Sequence, residues 1–202
     1  GYGVQPNEVV QVLRHRDIPT LMGNYDEGVG HDSDDCGCAY RTQEARLLGE
    51  QSIAWSNLHV SVENKSYLRN LPMTMSLMMD KLRVTLVHGS PRRINEYLYE
   101  DRPESSIERL FDLGGADVMI CGHTHKPYDR LLSSGRRLIN AGSVGKPKDH
   151  DPRAAFVILA VDGKELQTEF VRVAYDVEKA ARAIEGTEMP DEFARMLREG
   201  VG

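Results

Sequence analysis

Asp117-Val118-Met119-Ile120-Cys121-Gly122-His123-Thr124-His125 is the stretch whose reading decides the fold. Asp117 to Cys121 is a mostly apolar run too short for a helix, so it reads as a short buried strand. Gly122 then permits a turn, and a histidine pair spaced by one residue follows. Neutral imidazole nitrogens at the end of a buried strand could address two neighbouring ions. A single H-x-H is weak on its own, because surface histidine pairs are common.

Two upstream segments give the pair company. Leu82 to Val87 reads as a strand running into His88-Gly89-Ser90-Pro91, and Ile18 to Met22 reads as a strand running into Gly23-Asn24-Tyr25-Asp26. Each is an ordinary strand end when taken alone, since Gly, Asn and Asp are turn formers. All three in order, each at the C-terminal end of a strand, lie where α/β sheets place their sites.

These residues resemble the calcineurin-like metallophosphoesterases, whose motifs run D-x-H, G-D, G-N-x-[D/E], a histidine followed by Gly, and G-H-x-H. Gly23 to Asp26, His88-Gly89 and Gly122 to His125 match the last three. The opening Gly1-Tyr2-Gly3 with Pro6-Asn7-Glu8, and Asn140 to Gly145 with Asp151-Pro152-Arg153, are similar to a small single-domain bacterial and archaeal branch. Nothing here corresponds to D-x-H, and the chain opens just past the expected G-D. The expectation is therefore a piece of a longer protein, short of a strand, helix, strand unit of roughly 40 to 50 residues.

The resemblance implies an α/β/β/α sandwich of two mixed sheets flanked by helices, lacking its first strands. It is expected as a single domain over residues 1–202, with C-terminal helices at about 176–199. The resemblance also implies two divalent ions (Mn, Fe, Zn, Ni or Co), about 3.5 to 4 Å apart, holding a bridging hydroxide that attacks phosphorus. Asn24, His88 and His123 would bind one ion and His125 the other. Tyr25 stands where many members carry a histidine that protonates the leaving group, with Asp26 beside it, so these two are the catalytic candidates. A phenol is a poor proton donor at neutral pH, which favours activated esters or phosphodiesters over alkyl monoesters. Arg92 is a candidate phosphate fork and Ser143 a candidate anion contact.

Composition is compatible with this. The 202 residues are 40% hydrophobic and 28% charged, with a formal net charge of −6, which argues against a bulk electrostatic grip on nucleic acid. No stretch is long and apolar enough for a membrane span. Three cysteines fit a reducing cytoplasm better than a disulfide framework. Cys36 and Cys38 would want a second ligand pair to form a metal site, so they read as packing beside the site, and Cys121 as a small core residue. The expected partner is a small phosphoester; homo-oligomerisation stays open.

The remaining pattern alternates as α/β chains do. Helices are expected at Pro6–Arg14, Thr42–Asn57, Ser61–Leu71 and Ser106–Leu113, and hairpins at Met73–Met79 with Leu82–Val87, at Tyr128–Leu132 with Arg137–Asn140, and at Ala154–Val161 with Glu165–Val173. Met73, Met75, Met78 and Met79 read as core filler in an alternating strand. Three functions remain open: a dinuclear phosphoesterase, a non-catalytic binding or scaffold relative with an incomplete metal site, and a single-zinc hydrolase of another fold using His88, His123 and His125.

Overall fold

The computed structural model describes residues 1–202. Its elements are α1 (Pro6–His15), α2 (Asn24–Gly30), α3 (Gln43–His59), α4 (Val62–Arg69), β1 (Thr74–Met79), β2 (Leu82–Val87), α5 (Glu104–Gly114), β3 (Val118–Cys121), β4 (Tyr128–Leu131), β5 (Arg137–Asn140), β6 (Ala154–Asp162), β7 (Glu165–Val173), α6 (Val177–Glu185) and α7 (Glu192–Glu199). They form two compact units, Gly1–Pro72 with Asp176–Arg198, and Met73–Tyr175 with Glu199–Gly202.

The first unit is helical. Thr42 and Ser61 cap α3 and α4 by accepting from the Ala45 and Asn64 backbone N–H groups, satisfying donors that have no partner within the helix. Trp55 of α3 packs with Ala181 and Ile184 of α6 and with Phe193, Ala194 and Leu197 of α7. In the two C-terminal helices these residues repeat at helical spacing, so one apolar face of each makes this core.

Two expectations fail in this unit. Ile18 to Met22 carries no ladder; its Met22 N–H donates to the Pro72 carbonyl and its Ile18 N–H to the Leu13 carbonyl. An apolar run becomes a strand only beside another strand, and none pairs with it here. Gly23 to Asp26, an ordinary turn when taken alone, instead opens a helix, Asn24–Gly30. Its glycines hid it from propensity, and packing explains them: a Cβ on Gly28 would stand 2.8 Å from Ile53 Cδ1, and one on Gly30 would stand 3.0 Å from Arg69 Cγ.

The second unit is built on a five-stranded mixed sheet in the order β1-β2-β3-β5-β4. β2, β3 and β5 run parallel, while β1 and β4 are antiparallel edges. Residue alternation sorts side chains to two faces. Val87, Met119, Cys121 and Leu138 meet Ile107, Leu110 and Phe111 of α5 on one face. Leu82, Val84, Val118 and Ile139 meet Val157, Leu159 and Phe170 of the antiparallel pair β6-β7 on the other. The unit is thus a helix, a mixed sheet and a second sheet in layers.

Two of the four methionines depart from the sequence reading. Met75 is half-buried and Met79 packs partly buried against the core, but Met73, just before β1, and Met78, on this edge strand, are 52% and 60% exposed. They are surface residues, not core filler.

Candidate metal centre

Because β2 and β3 are parallel neighbours, their C-terminal ends lie side by side. The Gly122 N–H donates to the His88 carbonyl at 2.9 Å, tying the segment after β3 to the end of β2. This places His88 Nε2 3.1 Å from His123 Nδ1, with ring centroids 4.9 Å apart.

Gly122 is not the turning residue expected from the sequence. His123 and His125 themselves adopt left-handed backbone at φ 61° and 63°. An extended backbone would set residues 123 and 125 on one face, and these turns give the rings different surroundings. His123 meets His88 and, at 4.1 Å between centroids, the Tyr97 ring. His125 Nδ1 lies 2.6 Å from the Lys146 carbonyl, which can only accept, so Nδ1 carries the hydrogen and Nε2 the lone pair.

Burial holds all three rings neutral. It lowers His88 and His123 to about 4 and His125 to about 3, with His123 adding to the effect at His88 and the Lys148 charge adding to it at His123 and His125. Neutral imidazole is the form that binds a metal. His123 Nε2 is buried with no hydrogen-bond partner, a state that native proteins rarely leave unused. These donors suit a divalent first-row ion. They supply part of a shell, since no three His, Cys, Asp or Glu side chains converge into a complete one.

Asn140, at the end of β5, fixes the loop and was missed as a site residue. It is fully buried; its Nδ2 donates to the Gly122 carbonyl at 2.7 Å and to Thr124 Oγ1 at 3.0 Å, and its Oδ1 accepts from Gly142 N–H at 3.0 Å. The signal for it was a polar residue closing an apolar strand. Tyr97, whose ring stands against His123, was also not among the expected site residues.

The other predicted residues fall as follows. Arg92 is half exposed, and its guanidinium forms a fork on Glu96 at 2.8 and 2.5 Å. Ser143 Oγ accepts from Lys146 N–H at 3.0 Å. In the helical unit, Asn24 Nδ2 donates to the Cys36 carbonyl at 2.8 Å. Asp26 accepts from Gly23 N–H at 2.7 Å, reaching back over the first turn of α2, while burial raises its pKa. The Tyr25 hydroxyl is buried, and burial pushes its pKa above that of an ordinary phenol.

A strand-end histidine, a G-H-x-H loop and a G-N-x-D segment on an α/β frame define a metallophosphoesterase-type scaffold. The chain belongs to the calcineurin-like phosphoesterase superfamily, whose domain model matches residues 3–164. It is 32% identical over 214 residues to an uncharacterised protein of Methanocaldococcus jannaschii, covering 98% of this chain and 82% of that one. It is also 32% identical over 117 residues to a probable metallophosphoesterase of Methanothermobacter thermautotrophicus, covering 56% of this chain and 60% of that one. Among solved structures it is similar to a metallophosphoesterase from Sphaerobacter thermophilus, at 27% identity and TM-score 0.73, covering all of this chain and 84% of that one. A hypothetical protein from Pyrococcus horikoshii shares the fold at 21% identity and TM-score 0.80, over 99% of this chain and 81% of that one. No helix is long and apolar enough to cross a membrane.

Proposed function

We propose that this protein is a dinuclear metal-dependent phosphoesterase that hydrolyses phosphodiesters and activated phosphomonoesters. The observation that carries the reading is His123, a buried neutral imidazole whose Nε2 lacks a hydrogen-bond partner while His88 stands at its Nδ1. In this reading His88, His123 and His125 hold metal, and Asn24 keeps its ligand role through the family motif alone. Bound divalent ions would supply Lewis acidity and an activated water.

The chain's own residues do the positioning. The Lys146 carbonyl fixes the His125 tautomer, and Asn140 holds the backbone from which His123 and His125 project. Tyr25, with its raised pKa, keeps its proton at neutral pH and gives little help to an alkoxide leaving group. Esters with good leaving groups therefore stand ahead of alkyl monoesters.

The test is metal content by inductively coupled plasma mass spectrometry, with hydrolysis of bis-p-nitrophenyl phosphate after loading with Mn, for wild type and His123→Asn. Close to two metal equivalents and turnover, both reduced in His123→Asn, support the reading. A folded wild type that takes up no metal and leaves the ester intact refutes it in favour of a non-catalytic relative. Family membership already removes the third reading, a zinc hydrolase of another fold.

A further inference from the structure

Cys36-Gly37-Cys38 lies between α2 and α3, outside the histidine loop. Gly37 sits at φ 65°, a left-handed conformation that brings its two neighbours' side chains together. Cys36 Sγ and Cys38 Sγ are 2.7 Å apart, and both cysteines are free. A disulfide closes at about 2.05 Å, so well under an ångström separates the pair from a bond. Two thiolates on one tetrahedral ion stand farther apart than this, each about 2.3 Å from the metal. The spacing therefore fits oxidation rather than chelation.

The surroundings give the pair an order and a consequence. Cys36 is buried and Cys38 half-buried, so an external reagent meets Cys38 first. Asn24 Nδ2 donates to the Cys36 carbonyl at 2.8 Å and to Cys38 Sγ at 3.1 Å, so both cysteines orient one amide.

We propose that Cys36 and Cys38 are a reversible redox pair, oxidised by low-molecular-weight disulfides of the glutathione type, and that its state sets the orientation of the Asn24 amide. Cys38 sulfur attacks one sulfur of the small disulfide; a mixed disulfide forms and one small thiol leaves, the Cys38 proton being passed on. Cys36 sulfur then attacks Cys38 Sγ. The Cys36–Cys38 bond forms, the mixed disulfide breaks, and the second small thiol leaves with the proton equivalent from Cys36. Two protein thiols lose two electrons and one small disulfide gains them. Bond formation draws Cys38 Sγ toward Cys36 and replaces the thiol facing Asn24 with a weaker acceptor.

The full chain is incubated with glutathione disulfide, quenched in acid, alkylated after unfolding and weighed intact and as peptides. The expected product is lighter than the reduced protein by two hydrogens before alkylation. Its linkage maps to the Cys36–Cys38 peptide, Cys121 remains alkylatable, and dithiothreitol reverses the change. Cys36→Ser should stall with one glutathione on Cys38, and the Asn24 side-chain amide resonances of the wild type should shift on oxidation. Full alkylation of all three cysteines throughout, or a wild type that stops at the glutathione adduct, overturns the redox pair. A disulfide that leaves the Asn24 resonances in place overturns the coupling. If Cys36→Ser does not fold, the wild-type series decides alone.

Discussion

Replacing Asn140 with alanine should loosen the histidine loop while sparing the sheet beneath it. Asn140 is fully buried; its Nδ2 donates to the Gly122 carbonyl, to Thr124 Oγ1 and, at 3.5 Å, to Cys121 Sγ, and its Oδ1 accepts from the Gly142 N–H. The Thr124 hydroxyl can turn to another partner, but the Gly122 carbonyl and Gly142 N–H cannot leave the backbone. These two backbone groups are partly buried, so each left unsatisfied costs at the low end of about 1–3 kcal/mol, and the variant should lose about 2 kcal/mol. For a chain of this size that is a fall in Tm of roughly 4–8 °C. Urea unfolding gives the free energy, and amide hydrogen exchange locates it: Gly142 should exchange faster, while Met119 and Leu138 keep their relative protection. Asn140→Asp retains the acceptor for Gly142 and loses the donors, so its Gly142 should stay the better protected of the two variants. A loss under about 1 kcal/mol, or uniform exchange across β3 and β5, would refute the claim that this side chain pins the loop.

Gly89→Ala should destabilise by about 3 kcal/mol in chemical denaturation, because the new Cβ would stand 2.5 Å from the Ile94 carbonyl oxygen and 2.8 Å from Glu96 N, neither of which can move alone. Gly145→Ala is the control: a Cβ there meets nothing within 4 Å, and its effect should be close to zero. Glu96 should give the protein an acid-sensitive window. Its side chain is 10% exposed, and Arg92, with Ser90 and Arg102, holds its pKa at about 2 against an ordinary 4.5. A depressed carboxylate stabilises fully above its unfolded pKa and loses that contribution as pH falls toward its folded one. Wild type should therefore lose about 1–2 kcal/mol more than Glu96→Gln between pH 5 and 2.5, the half-exposed Arg92 limiting the figure. Parallel stability curves for the two proteins would contradict this.

What the sequence disclosed was governed by how local each cause was. Leu82–Val87 and Val118–Cys121 could be read because a buried parallel strand needs an apolar run wherever it lies. The C-terminal helices could be read because Val177, Ala181 and Ile184, and Phe193 and Leu197, repeat at helical spacing. The helix Asn24–Gly30 could not, since Gly28 and Gly30 answer to Ile53 and Arg69, which are distant in sequence. Exposure of Met78 depends on β1 being an edge, a property of strand order that no single segment encodes. In the site, the histidines were legible because imidazoles at strand ends are chemically distinctive. Asn140 was not, because a buried amide is defined by the distant groups it satisfies.

The backbone of the histidine loop argues for function independently of the motif. A left-handed conformation in a residue with a Cβ costs roughly 1–2 kcal/mol, and the loop adopts it twice, at His123 and His125. Glycine at either position would remove the strain, so stability alone gives no reason to keep histidine there. The His123 ring does not recover the loss through a saturated network: its Nε2 is buried and unpartnered. Strained conformations of this kind persist where the surroundings over-determine them, as the Gly122 to His88 bond, the Asn140 amide and the Lys146 carbonyl do here. The fold therefore spends rigid contacts from β2, β5 and the segment after β5 on holding two neutral imidazoles in costly positions. A ligand that binds the lone pairs of those imidazoles gives that arrangement a physical purpose.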